Sequence, residues 1–182
     1  RSIVSIIVNY ANANVYYMNE QDAHDNLVNS ARSVTGVVER ASYQQVSFTD
    51  AQTVSVTMPY NAPAAASNGE CQFELMATQA DAQLASSGVN VDAFTHKEYI
   101  IPAYVPGCSL GWSGIAYLGY RGYCGIYCIS WVRSSSPTVR AHELGHSLGL
   151  GHSGQHGAQY RDYSSLMGNA QEWRSYSTAE RA

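Results

Sequence analysis

Residues 142–153 read His-Glu-Leu-Gly-His-Ser-Leu-Gly-Leu-Gly-His-Ser, and few conformations of a chain satisfy all of that segment at once. His142 and His146 stand four positions apart, so on a helix of about 3.6 residues per turn both imidazoles leave the same face and can grip one ion. Glu143 follows the first of them, which puts its carboxylate beside the ion, where it can take a proton from water. Gly149 is expected to end the helix, because glycine enters a left-handed turn at little cost. The reversal then carries His152 back toward the same ion. Imidazoles from His142, His146 and His152 with one coordination position left open describe a catalytic zinc site, so one Zn2+ is the expected cofactor and Glu143 the expected base. Five fixed residue types at fixed offsets arise by chance in a chain of this size at roughly one in ten thousand or rarer, which disfavours histidines that merely decorate a solvated helix face.

The pattern His-Glu-x-x-His-x-x-Gly-x-x-His resembles that of the metzincin zinc endopeptidases. Metzincins carry a methionine in a tight turn below the metal, and here Met167 lies fifteen residues past His152, between a serine pair and Gly168. Among metzincins the chain is most similar to the gametolysin family of secreted endopeptidases. Four stretches carry that similarity: residues 98–102 (Glu-Tyr-Ile-Ile-Pro), residues 111–119, the zinc helix at 141–151, and residues 162–168 around the turn. The resemblance implies an α+β fold: a twisted mixed sheet with an antiparallel edge strand, long helices that include the zinc helix, and a Met-turn built on Met167. Ser153 after the third ligand also occurs in matrix metalloproteinases, the second resemblance. Against that family, no upstream His/Asp-rich segment is found, and Gly168-Asn169 replaces Tyr-Pro after the methionine. Astacins and serralysins place a tyrosine two residues after the methionine; Asn169 stands there, so no tyrosine ligand or donor carries over from the turn.

A chain of 182 residues with 45% apolar and 13% charged residues fits one globular domain, residues 1–182, with a sizeable core. The net charge of −4 supplies no basic stripe, so neither nucleic acid nor an anionic membrane is an expected partner. No apolar run approaches the roughly 18 residues of a membrane span, and no signal peptide precedes Arg1, so a soluble chain without processed segments is expected; a monomer is expected as well. Cys71, Cys108, Cys124 and Cys128 allow three pairings. Their spacings of 37, 16 and 4 do not match a paired C-x-x-C zinc module, and two disulfides are expected in a secreted enzyme. On one strand Cys124 and Cys128 would face the same way, which favours partners elsewhere over each other. No N-glycosylation sequon occurs.

Along the chain, residues 2–9 are rich in β-branched residues and read as a buried strand. From Asn19 as N-cap, the apolar positions Leu27, Ala31, Val34, Val38 and Ala41 recur at helical spacing and predict one long helix. Residues 46–48 and 53–58 read as strands, 59–68 as a loop, 70–86 as a helix stopped by Gly88, and 99–105 as a strand. Ile115, Ala116 and Tyr117, within 115–118 between glycines, read as an exposed edge strand. The resemblance implies that this edge receives the substrate backbone. Residues 126–132 predict a buried strand, 134–137 a linker, and Thr138 the cap of the zinc helix. Residues 177–180 suggest a capping box for a C-terminal helix that is cut short. His24, His96 and His156 have no partner at metal spacing and read as surface or hydrogen-bonded residues. The fourteen tyrosines predict rings buried with hydroxyls at the surface.

The expected function is therefore that of a secreted zinc endopeptidase acting on protein or peptide substrates, which the resemblance implies are extracellular or cell-wall proteins. The rival from another class is a zinc-containing binding or adhesion module that has lost the reaction. Glu143 argues against it, since a structural site has no use for an unligated carboxylate there. A metal-buffering protein is weaker still, because the ligand set leaves one position open.

Overall fold

The β-branched run at the start of the chain forms strand β1 (Ser2–Asn9), buried along nearly its whole length. The computed structural model describes residues 1–29, 32–120, 124–125, 128–154, 158–168 and 175–176. Around β1 lie strands β2 (Asp50–Thr57), β3 (His96–Ile100), β4 (Gly114–Ala116) and β5 (Ile129–Val132), in the spatial order β2-β1-β3-β5-β4. All neighbours are parallel except β4, which runs antiparallel to β5 and ends the sheet. A strand with parallel partners on both sides is covered on both faces, which is why β1 needs an almost unbroken apolar run.

Alternation along β1 sorts the helices. Val4, Ile6 and Val8 pack with Met76, Ala77, Ala80 and Leu84 of helix α3 (Phe73–Ser86). Ile3 and Ile7 face the opposite side, toward α1 (Glu20–His24), α2 (Val34–Ala41) and α4 (Pro137–Ser147). Trp131 of β5 anchors the α3 side, stacked on Tyr99 and met edge-on by Phe73 and Tyr117.

Several sequence expectations change in detail. The single helix from Asn19 is broken: Asn19 does cap α1 and the first turns continue as a π-helical segment, Asp25–Asn29, but Ser33 caps a new helix by accepting the Gly36 N–H at 3.1 Å. A serine side chain that captures a backbone donor starts helices more readily than it continues them. Residues 46–48 are not a strand. Tyr43 and Gln44 adopt left-handed φ of 53° and 64°, and the Val46 N–H donates to Ser42 Oγ, so this stretch is the turn that leaves α2. Helix α3 begins at Phe73, not at residue 70, because Glu70 bridges Ser109 and Cys71 is bonded to Cys108. Strand β3 starts at His96, paired with Ile3, and ends at Ile100, since Pro102 has no N–H for the ladder. Ser136 and not Thr138 is the cap of α4, because Pro137 takes the first helical position.

The cysteine expectation is also corrected. Cys124 pairs with Cys128, Cα atoms 5.0 Å apart, and Cys71 pairs with Cys108. The strand begins only at Ile129, and Gly125 turns the chain with φ of 53°, so the same-face argument does not apply. The proposed capping box at 177–180, Asn169, His156 and residues 126–127 of the predicted strand lie outside the described residues. Among the described residues, no helix is long and apolar enough to cross a membrane.

Candidate metal centre

Helix α4 carries His142 and His146 one turn apart, with ring centroids separated by 4.8 Å. The helix ends in a paired turn: the Leu150 N–H donates to Gly145 O and the Gly149 N–H to His146 O, with Gly149 at φ of 94°. That geometry absorbs the last carbonyls and needs a left-handed residue after the cap. It returns His152 to the helix face, 4.7 Å from His146 and 5.4 Å from His142 between ring centroids. Ligand-capable atoms of His142, His146 and His152 all lie within 4.8 Å of one another.

Backbone carbonyls fix which nitrogens face inward. A carbonyl only accepts, so Nδ1–H of His142 donates to Leu166 O at 2.8 Å and Nδ1–H of His146 to Leu150 O at 2.7 Å. Each neutral ring is left with an unprotonated Nε2. Burial, with the neighbouring imidazoles adding to it, lowers the His146 pKa to about 4, and burial lowers that of His152 as well. His146 Nε2 and His152 Nε2 stand 3.1 Å apart. Nitrogen lone pairs converging at that distance are the donor set that a borderline cation such as Zn2+ takes up.

Glu143 is buried and lies against Gly114 of β4, where a Cβ would come within 2.5 Å of its Oε1. Burial first, and the charge of Glu98 second, push its carboxyl up to about 8. A cation at the imidazoles would act in the opposite sense, favouring the carboxylate. The cleft above has a volume of about 820 Å³ and is walled by Trp112, Ile115, Ala116, Leu118 and Tyr163 around His142, His146, His152 and Glu143. Of the three edge-strand residues singled out in sequence, Ile115 and Ala116 line it. Tyr117 turns away, packing edge-on against Trp131 and bonding its hydroxyl to Glu74. The outer edge of β4 pairs with no other strand among the described residues.

The segment around Met167 supports the centre from below. Leu166 supplies the carbonyl to His142, Met167 O accepts from the Ser153 N–H at 3.0 Å, and Asp162 accepts from the Ser153 hydroxyl at 2.7 Å. Met167 is fully buried beneath Gly145, where an added Cβ would meet its sulfur at 2.5 Å. Ser153, next to His152, and the floor below His142 are thus tied into one piece.

Three features escaped the sequence reading. Arg140, fully buried on α4, donates from Nε and Nη2 to Glu98 of β3, from Nη2 to Ser5 of β1, and from Nη1 to Ala23 O. A glutamate inside an apolar strand is the signal that such a partner exists. Tyr160, at φ of 61°, lays its ring 4.0 Å from His152 and lines the cleft. Gly119 straps over the helix end, its N–H on His146 O at 2.8 Å.

A family model described as gametolysin peptidase M11 matches residues 3–177. No curated protein matches the chain significantly.

Proposed function

This chain belongs to the gametolysin peptidase family M11, and from that premise we propose that it is a secreted, single-domain zinc endopeptidase cleaving extracellular or cell-wall proteins. The observation that supports this best is the convergence of His142, His146 and His152 within 4.8 Å of one another, beside a buried Glu143 and near the outer edge of β4. His142, His146 and His152 would hold the ion. When bound, zinc supplies Lewis acidity, making water a nucleophile near neutral pH and offsetting the charge that develops on the scissile carbonyl oxygen.

The chain's own residues do the rest. The outer edge of β4, unpaired among the described residues, receives the substrate backbone as an added antiparallel strand, which fixes its direction without requiring a particular sequence. Glu143 takes a proton from the attacking water as the new C–O bond forms, then delivers it to the amide nitrogen as the C–N bond breaks. Nδ1 bonds to Leu166 O and Leu150 O keep the two helix imidazoles in one tautomer through the cycle. Met167 serves as the methionine of a Met-turn, keeping the helix at a fixed height. The disulfides suit an oxidising, extracellular setting. Casein or gelatin should be digested by the metal-loaded protein and spared when a zinc chelator is present; undiminished digestion under chelation would remove this reading.

A further inference from the structure

His96 stands at the start of β3, and it is buried with both cysteines of the shorter disulfide. Its Nε2 lies 3.7 Å from Cys124 Sγ, and the ligand-capable atoms of His96, Cys124 and Cys128 are all within 4.8 Å of one another. The backbone holds the group together, since the Lys97 N–H donates to Cys128 O at 2.9 Å. Hydrogen bonding favours one tautomer of the ring. Thr95 Oγ1 gives its hydrogen to Ser2 O at 2.6 Å, so toward His96 Nδ1, 3.0 Å away, the same oxygen accepts. In the tautomer with Nδ1–H donating to Thr95 Oγ1, the lone pair of Nε2 faces Cys124 Sγ. A buried imidazole whose free lone pair is aimed at a cysteine pair is a preformed set of one nitrogen and two sulfurs.

We propose that His96, Cys124 and Cys128 form a second metal site, closed while the two cysteines are bonded and able to take a soft or borderline divalent cation such as Zn2+ once they are reduced. One nitrogen and two thiolates leave one position of a tetrahedron for water, a set that suits Zn2+ and disfavours the hard cations. The steps balance. An external dithiol gives two electrons and two protons to the Cys124–Cys128 bond, becoming a disulfide and leaving two thiols; the cation then displaces both thiol protons to solvent, while Nε2 of His96 donates its lone pair without losing a proton. Opening this bridge frees the unfolded chain far less than opening the other would, because it spans a sequence separation of 4 and not 37. The reduced protein is accordingly expected to stay folded and hold the site.

Co2+ is the probe, because thiolate ligation gives an intense charge-transfer absorption in the near ultraviolet that the all-imidazole centre at His142 does not. After reduction by a water-soluble phosphine and removal of the excess, the folded protein should bind one Co2+ beyond that at His142, His146 and His152, with the thiolate band. Reoxidation should release it. The C124S/C128S double variant should lose the band and the additional ion while keeping the first, and H96Q should weaken binding of the additional ion at least about tenfold. The proposal is overturned by a reduced wild type with free thiols but no band, by a band that survives in C124S/C128S, by unchanged affinity in H96Q, or by a Cys124–Cys128 bond that the phosphine does not open in the folded protein. None of these readings depends on hydrolysis, so the outcome is separate from that of the chelation test on casein.

Discussion

Replacing Glu143 by Gln keeps the side chain's size against Gly114 while removing its ability to take a proton, so this substitution isolates the role assigned to the carboxylate. Glu143→Gln should retain zinc and lose between a hundred-fold and ten-thousand-fold in kcat, on the order expected for a missing general base. Metal content and turnover measured on one purified sample decide it, and near-normal turnover would sink the role. Gly114 offers a subtler check. The Cβ of Gly114→Ala would fall 2.5 Å from Glu143 Oε1 and 2.7 Å from its Cγ, so the carboxylate must move by about an ångström, and misplacement on that scale costs up to about a hundred-fold. A fall in kcat/KM of about tenfold to a hundred-fold with zinc content unchanged is expected; wild-type kinetics would mean that the carboxylate's position against β4 is unimportant. At this scale the sequence was most informative where residues are neighbours in the chain: His142, Glu143, His146 and Gly149 follow from helical geometry alone. Tyr160 did not, because nothing in its local sequence says that a residue with φ of 61° will bring its ring onto His152.

Helix α4 is placed by contacts that span the chain. Its Arg140 reaches Glu98 on β3 at 2.6 Å, and neither side chain is more than 3% exposed. Removing one partner strands the other's charge in the interior, which typically costs about 3–5 kcal/mol. Arg140→Leu should therefore lower the unfolding free energy by about that much in a denaturant titration, and a loss below about 1 kcal/mol would show that the pair does not anchor the helix. The elements themselves were legible in proportion to how local their causes are. Strand β1 and helix α3 with its Gly88 stop are written in periodicity and a breaker, and the edge strand at β4 in its flanking glycines. The division between α1 and α2 was missed because an apolar repeat at helical spacing continued through it while Ser33 captured the Gly36 N–H. The Cys124–Cys128 bridge was missed because the strand assumed to carry both residues begins after them, at Ile129.

Across the whole molecule, the sheet brings together groups that are far apart in sequence, and two bridges close loops of very different length. In the chain-entropy model, the Cys71–Cys108 bridge, with a separation of 37, is worth roughly 4 kcal/mol and the Cys124–Cys128 bridge, with a separation of 4, roughly 2 kcal/mol. Replacing Cys71 and Cys108 by Ser should lower Tm by roughly 10 °C, more than the corresponding change at Cys124 and Cys128. The reverse order in thermal melts would refute that ranking, and two or more free thiols in the denatured, unreduced protein would refute the pairing itself. A mixed sheet with helices and an antiparallel edge strand was readable from the resemblance carried by helix α4, whereas the Arg140–Glu98 anchor, between residues 42 positions apart, follows only from strand order. The central claim is that His142, His146 and His152 jointly hold one ion on which hydrolysis depends. It is tested most directly by stripping the metal, titrating Zn2+ back, and following bound zinc and peptide hydrolysis together in the wild type, His152→Ala and His156→Ala. Activity should rise in proportion to zinc and saturate at one ion per chain in the wild type and in His156→Ala, while His152→Ala, left with two imidazoles from one helix, should need far more zinc to bind any. Hydrolysis by the metal-free wild type, or zinc retained by His152→Ala and lost by His156→Ala, would contradict the account.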